Sequence, residues 1–111
     1  MPSNYSLTSA ASSALEDVFV YTIEMFGVDQ ATAYRDGLTH TFETLVKLPR
    51  ISKIVEELGT GLRQYRYRSH YVIYSIDDDQ IQIEYILSTR TSDAITFSGL
   101  ALQPPRRSLD R

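Results

Sequence analysis

The stretch that decides the fold is residues 62–88, which read LRQYRYRSHYVIYSIDDDQIQIEYILS. Five Tyr, five Ile and one Val in this stretch are the composition of strands rather than of helices. Polar turn residues at 68–70 and 78–79 divide it into three predicted strands, 62–67, 71–77 and 80–88. Because the connections are so short, we expect the three strands to form an antiparallel sheet.

The last predicted strand alternates between apolar and polar side chains. Its apolar positions are Ile81, Ile83, Tyr85 and Leu87, and its polar positions are Gln82, Glu84 and Ser88. Alternation of this kind is typical of a sheet with one buried and one solvated face. We therefore expect one face to pack on helices and the other to stay open to solvent or to a partner.

Upstream of these strands, the chain predicts a short strand at 5–8 and then a hairpin of two helices. Thr8 or Ser9 is the predicted cap of the first helix, which ends at Phe26. Gly27 can adopt the positive φ that stops a helix. Asp29 is the predicted cap of the second helix, which runs to about residue 48 because a proline follows.

Each predicted helix carries an apolar stripe. The stripe of the first helix is Ala11, Leu15, Val18, Thr22 and Met25, and that of the second is Tyr34, Leu38, Phe42 and Leu45. Gly37 lies inside the second helix, where glycine costs about 1 kcal/mol relative to alanine, so we expect close packing of the neighbouring helix at that point. Residues 52–58 are predicted to add one or two helical turns.

Composition and charge bound the class of protein. Leu, Ile, Val and Phe make up 30 of the 111 residues, enough for a buried core, and the absence of cysteine excludes disulfides, thiolate metal sites and Cys nucleophiles. We expect one domain at 1–97 and a flexible tail at 98–111. Since no apolar run reaches the length of a membrane span and residues 1–9 lack a signal pattern, we expect a cytoplasmic protein without membrane contact.

The net charge of −3 is unevenly placed. Residues 9–48 hold six acids and two bases, whereas residues 61–111 hold seven arginines and six acids. An acidic chain with a sequence pI near 5.2 disfavours direct, sequence-specific nucleic-acid binding. The arginines of the second half instead indicate a local basic surface.

Several short runs resemble the RelE/ParE toxin superfamily, and most closely its ParE branch. They are ALEDV at 14–18, YT at 21–22, FG at 26–27, YRDGL at 34–38, GLR at 61–63, HYVIY at 70–74 and ILSTR at 86–90. Their order and spacing cover about residues 5–93. The chain departs from the family pattern at Ser88 and Thr89, where members often carry His-Gly, and in its longer C-terminal tail.

The resemblance implies an α+β fold and a binding function. A ParE-like protein is the toxin of a type II toxin-antitoxin pair, used in plasmid stabilisation, which arrests growth by poisoning DNA gyrase. A ParD-like antitoxin neutralises it in a hetero-oligomer. The resemblance implies neither a cofactor nor a metal, and no catalysis. The alternatives are a RelE-like ribosome-dependent mRNA endoribonuclease and an inactive toxin-fold binding protein.

The residues argue against the nuclease alternative. Such an enzyme needs a base, an acid and cations for the phosphate. Arg90 matches an arginine of that branch, but Tyr71 stands where its nucleases carry another arginine, and the chain has only two lysines. His40 and His70 form no metal spacing, and the acids at 77–79 predict a solvated turn.

The candidate site residues belong mainly to the basic, aromatic stretch at 63–68. Tyrosine and arginine are enriched at the energetic centres of protein interfaces. The predicted target-binding residues are Arg63, Arg66, Arg68 and Arg90. The predicted antitoxin-binding residues are Tyr65, Tyr67, Tyr71 and Tyr74.

Overall fold

The computed structural model describes residues 4–78 and 80–89 and has an α+β architecture. A strand and two helices come first: β1 (Asn4–Leu7), α1 (Ser9–Phe26) and α2 (Val28–Lys47). A 3-10 turn at Glu56–Leu58 precedes β2 (Arg63–Tyr67), β3 (His70–Asp77) and β4 (Gln80–Ser88). The predicted fold class is confirmed. The predictions for Arg90, for the domain limit at 97 and for a tail at 98–111 lie outside the described residues.

The four strands form one sheet in the order β1-β4-β3-β2. The β2–β3 and β3–β4 pairs are antiparallel, as predicted. β1 lies parallel to β4, with Tyr5 opposite Ile81 and Leu7 opposite Ile83. Since parallel neighbours need a long crossover, the helical hairpin that follows β1 also serves as part of that connection.

The core lies between the helices and one face of the sheet. It is formed by two alanines of α1, three large residues of α2 and alternate residues of β3 and β4: Ala11, Ala14, Leu38, Phe42, Leu45, Val72, Tyr74, Ile81, Ile83 and Ile86. The stripe predicted for α2 is therefore confirmed at its three buried positions, and Tyr34 packs against the edge of the cluster. Neither described helix is long and apolar enough to cross a membrane.

A bulge in β4 changes the phase of its alternation. Tyr74 of β3 pairs with Ile83, but its neighbour Ile73 pairs with Tyr85, so Glu84 is an extra residue on β4. An extra residue shifts the following side chains to the other face of the sheet. Ile86 therefore joins the core, and the simple alternation predicted up to Leu87 is wrong beyond Ile83.

The second face of the sheet is polar near its β1 edge and buried at its centre. Ser6 Oγ donates to Gln82 Oε1 at 2.9 Å across the β1–β4 pair. Ile73 and Leu87 alternate out of phase with the core residues, yet they are only 1% and 7% exposed. The prediction of a fully open second face is therefore wrong at its centre.

Helix α1 is fixed at its start and extends beyond the core at its end. Thr8 Oγ1 accepts from the Ala11 amide at 3.0 Å and donates to the Glu84 carbonyl at 2.8 Å, so the predicted cap also ties α1 to the β4 bulge. Met25 continues the buried stripe but is 56% exposed. Its predicted burial is wrong because the α1 residues that pack in the core end at Val18, with Thr22 buried one turn further.

Helix α2 begins without a side-chain cap. Gly27, with φ of 95°, occupies the cap position and has no side chain to accept from the first amides. Asp29 lies within the first turn, so its prediction as the cap is wrong. Its carboxylate is instead placed where the positive end of the helix dipole favours an anion.

Gly37 marks a close approach, but the approaching group is not a helix. A Cβ atom built on Gly37 would lie 1.8 Å from the Tyr67 hydroxyl and 2.6 Å from Cζ of the same ring. The prediction of tight packing is thus right, and its assignment to a neighbouring helix is wrong. The glycine makes room for a β2 side chain that crosses under α2.

Candidate functional site

The turn between β2 and β3 lies against the first half of α2, and Tyr34 is the contact between them. The Tyr34 hydroxyl lies 2.8 Å from His70 Nδ1 and accepts from the Ser69 amide at 3.2 Å. Its ring centroid lies 5.3 Å from that of Tyr67 and 5.5 Å from that of His70. The helix therefore holds the turn in place. Tyr34 together with residues 66–71 is termed the turn-end surface.

Burial sets the protonation of this contact. It lowers the pKa of His70 below the ordinary value of 6.5 and raises the pKa of Tyr34. Near neutral pH the imidazole is thus neutral, and its Nδ1 shares a hydrogen bond with the Tyr34 hydroxyl, which also donates to the Tyr67 carbonyl at 3.4 Å. The prediction that His70 lies in the turn at 68–70 is wrong, since His70 begins β3 and is half-buried.

Two arginines of the turn-end surface are exposed and lie beside aromatic rings. Arg66 Nε donates to the Arg68 carbonyl at 2.8 Å, and its guanidinium lies 6.0 Å from the Tyr71 ring centroid. The Arg68 guanidinium lies 5.7 Å from the Tyr67 ring centroid. Within the described residues the one ion pair joins His40 to Glu43, so neither arginine is neutralised by a carboxylate there.

The backbone of the turn adds to this arrangement. Arg68 has φ of 51°, a left-handed conformation that costs a non-glycine residue about 1 kcal/mol. The two-residue turn Arg68–Ser69 closes the hairpin, with Tyr67 directly opposite His70. Because Arg68 is bulky and exposed, its positive φ shows that the turn keeps a backbone conformation that lowers the stability of the fold.

A shallow groove runs between α2 and the turn. Its volume is about 130 Å³, and it is lined by Gln30, Ala33, Tyr34, Tyr67 and Arg68. Pockets for small molecules and cofactors are typically about 300–1,000 Å³. The groove has the size of one protein side chain, bordered by a cation and two tyrosines.

The predicted site residues separate into two groups. The structure brings Arg66, Tyr67, Arg68 and Tyr71 together at the turn, with Tyr65 on the same strand facing the helices. Arg63 and Tyr74 pair with each other at the opposite end of the hairpin.

Both residues of that opposite end use their polar atoms within the fold. Arg63 Nη1 donates to the Ser52 carbonyl, and the Tyr74 hydroxyl donates to the Pro49 carbonyl at 2.8 Å. Tyr74 is fully buried. We therefore leave Tyr74 out of the contact surface proposed below, because no part of its side chain reaches solvent.

The sequence did not reveal that residues of α2 border the turn between β2 and β3. Gln30, Ala33 and Tyr34 line the groove, yet of these the sequence pattern marked only Tyr34, as part of a helix stripe. The pairing of α2 with the turn depends on contacts more than 30 residues apart along the chain, such as Tyr34 with His70. The sequence signal for this pairing was Tyr34, the one residue of the predicted α2 stripe that carries a polar group.

The described residues show no arrangement suited to a metal ion. They contain no cluster of three or more His, Cys, Asp or Glu that could bind a metal ion. Lys47 and Lys53 flank the segment after α2 and do not lie in the hairpin turn. The turn-end surface has arginines and aromatic rings, the residue types that are enriched at the energetic centres of protein interfaces.

The fold and this surface define a small α+β domain with an exposed basic, aromatic turn, and comparison with known proteins supplies the family. Residues 5–92 match the family model described as the ParE toxin of the type II toxin-antitoxin system, parDE. The chain belongs to this family. The predicted resemblance is thus confirmed.

Individual relatives agree with this assignment. The chain is 34% identical over 76 residues to Toxin ParE1 of Mycobacterium tuberculosis, covering 68% of this chain and 78% of the relative. It is 32% identical over 72 residues to Toxin ParE1 of Caulobacter vibrioides, covering 65% and 75%. A solved structure of a chromosomal ParDE system from P. aeruginosa superposes with a TM-score of 0.67 at 17% identity, over 79% of this chain and 96% of the other, which shows a shared fold.

Proposed function

We propose that this protein is the toxin of a type II toxin-antitoxin pair that acts in the cytoplasm by binding and poisoning DNA gyrase, and that a ParD-like antitoxin holds it inactive. The observation that carries the target-binding part is the pair Arg66 and Arg68. Both are exposed, lie beside aromatic rings and have no carboxylate partner among the residues that the structure describes. Arg90 is kept in the proposed target-binding set. Arg63 is kept as well, although its guanidinium also serves the fold.

Physical reasons favour a protein target for this surface. An arginine over an aromatic face is partly desolvated and oriented before a partner arrives, so it loses less freedom on binding than a solvated one. The formal charge of −3 opposes approach to a bare polyanion. A basic patch on an acidic protein therefore suits an acidic patch on another protein.

The direct test is a gyrase supercoiling assay with purified toxin. Wild-type protein should inhibit supercoiling, and Arg66→Ala and Arg68→Ala should each weaken inhibition by about tenfold or more, as expected for interface arginines. Arg50→Ala is the matched control, because Arg50 is also exposed and lies outside the turn-end surface. Undiminished supercoiling, together with cleavage of ribosome-bound mRNA, would favour the ribonuclease alternative. Loss of both activities would favour an inactive binding protein.

The antitoxin is proposed to contact the same hairpin through Tyr65, Tyr67 and Tyr71. These side chains are half-buried, and Tyr67 and Arg68 border the groove beside α2. A disordered antitoxin segment that orders on binding needs an interface larger than about 1,600 Å² to offset its ordering entropy.

Calorimetry tests this second part of the proposal. Titration with the cognate antitoxin should show a large decrease in heat capacity, since apolar surface is buried as the segment orders. Tyr67→Ala and Tyr71→Ala should weaken binding and reduce that decrease. A heat-capacity change near zero would contradict a large ordered interface.

A further inference from the structure

The segment that follows α2 has a three-residue pattern. Residues 47–54 read KLPRISKI and are termed the anchored loop. Lys47, Arg50 and Lys53 are exposed bases at intervals of three. Each precedes an exposed aliphatic residue: Leu48 is 53% exposed, Ile51 is 47% exposed and Ile54 is 43% exposed. The loop thus presents cations and aliphatic side chains side by side.

The remaining two positions attach the loop to the sheet. The Pro49 carbonyl accepts from the buried Tyr74 hydroxyl, and the Ser52 carbonyl accepts from Arg63. Ile54 also forms a β-bridge with Arg63. The loop is therefore ordered before any partner binds, which lowers the entropic cost of an interface.

The charge of the loop distinguishes it from the other exposed apolar surface of the molecule. The end of the helical hairpin also exposes apolar side chains, including Met25 at 56% and Val28 at 59%. Those residues are interleaved with Glu24 and Asp29, however. The anchored loop contains three bases and no acid, and none of its bases pairs with a carboxylate among the described residues.

Acidic residues on both sides of the anchored loop restrict the kind of partner that can bind it. Glu43 lies one helical turn before Lys47, and Glu56 and Glu57 follow Ile54 closely, all of them exposed. A wide anionic surface such as a lipid bilayer or a DNA duplex would meet these acids as well as the bases. A narrow acidic segment can contact the bases and aliphatic side chains between them.

We propose that the anchored loop binds an acidic, aliphatic segment of the antitoxin. This inference rests on the proposed function, because it assigns a second contact region to the same partner. Acidic side chains of that segment pair with Lys47, Arg50 and Lys53. Its aliphatic side chains cover Leu48, Ile51 and Ile54, and the gyrase-binding arginines at the hairpin turn are not involved.

The test measures the affinity of full-length toxin for the protein encoded by the reading frame adjacent to its gene. Arg50→Ala/Lys53→Ala should weaken binding about tenfold, with a smaller dependence on salt, and Ile51→Ser/Ile54→Ser should weaken it about 30-fold. Ser12→Asp/Ser13→Asp makes the same change in net charge at exposed positions of α1. Met25→Ser/Val28→Ser removes apolar side chains of similar exposure. Both controls should bind within about twofold of wild type.

The outcomes separate this inference from the function it rests on. If wild-type toxin binds the adjacent product and the loop variants bind equally well, the anchored loop is excluded while the antitoxin partnership stands. If the wild type does not bind that product, both fail. Hydrogen exchange gives an independent readout, since binding should slow exchange at 50–54. Selective loss of binding to phosphatidylserine vesicles in the loop variants, with antitoxin affinity intact, would assign the loop to a membrane and overturn the proposal.

Discussion

The two ends of the β2–β3 hairpin use the same residue types in opposite ways. At the open end, Arg63 and Tyr74 donate to backbone carbonyls of the segment after α2, and Tyr74 is fully buried. At the turn end, Arg66 and Arg68 lie exposed beside tyrosine rings. Only three residues lie between Arg63 and Tyr67, so the chemical pattern along the strand does not distinguish the two roles.

The difference between the two ends shows that burial decides whether a side chain contributes to stability or to binding. A buried hydroxyl must keep its hydrogen bond, because an unpaired buried polar group costs about 1–3 kcal/mol. An exposed arginine exchanges water for a partner at little cost, and its ion pairs in water are worth about 0–1 kcal/mol. The open end therefore contributes to stability, and the turn end is free to contribute to binding.

The largest expected effect is at Tyr74. Tyr74→Ala should lower the free energy of unfolding by about 3–5 kcal/mol, since it leaves a cavity in the core. Tyr74→Phe keeps the ring and should cost about 1–3 kcal/mol, because the Pro49 carbonyl loses its donor. Urea unfolding measures both values. A Tyr74→Ala variant as stable as wild type would contradict this comparison, because it would show that the open end of the hairpin does not contribute to stability.

Arginine variants test the two ends directly. Arg63→Ala should lose about 1–3 kcal/mol of stability together with toxicity, because its bonded carbonyl is left without a donor. Arg66→Ala and Arg68→Ala should change stability by less than about 0.5 kcal/mol and still lose toxicity. Thermal unfolding and growth arrest in cells lacking antitoxin provide the two measurements. Fully toxic Arg66→Ala and Arg68→Ala variants would remove the turn end from the target-binding surface.

The effect of Gly37→Ala on stability should change sign when Tyr67 is also replaced. Alanine should gain about 1 kcal/mol of helix propensity but displace Tyr67, at a cost of about 1–3 kcal/mol, so Gly37→Ala should be neutral or destabilising. In a Tyr67→Ala background the obstacle is gone, and Gly37→Ala should become stabilising by up to about 1 kcal/mol. A double-mutant cycle measures this coupling. Equal effects in both backgrounds would show that Tyr67 does not occupy the space above Gly37.

The smallest expected effect is a pH dependence from His70. Since burial lowers its pKa in the folded state, the unfolded chain binds the proton more tightly. Stability should be unaffected by His70 above pH 6.5, should fall as the pH drops below that value and should level off below the folded-state pKa. His70→Asn keeps an acceptor for Tyr34 and should remove this component. His40→Gln, at an exposed site, is the matched control, and a slope that survives His70→Asn would contradict the assignment.

The sequence anticipated the elements because their signals are local. Period-two patterning and β-branched residues located the strands to within one residue, and Gly27 located the break between the helices. The candidate residues at the turn end were also visible, since arginine and tyrosine alternate there. Local rules failed where the outcome depended on packing: Met25 has the spacing of a core residue but lies beyond the part of α1 that packs in the core. Asp29 has the chemistry of a cap but lies two positions after the cap residue Gly27.

By itself, the sequence determined the α+β order of elements and a basic, aromatic hairpin, since composition and spacing carry these directly, and its resemblance to known sequences indicated the family. Tertiary structure alone decided that β1 pairs parallel to β4, that Glu84 forms a bulge and that Tyr67 lies above Gly37. It also decided that Arg63 donates to the Ser52 carbonyl, whereas Arg66 and Arg68 stay exposed. These outcomes depend on contacts between residues at least nine positions apart in the chain. Such contacts are set by the packing of the whole core rather than by any local pattern.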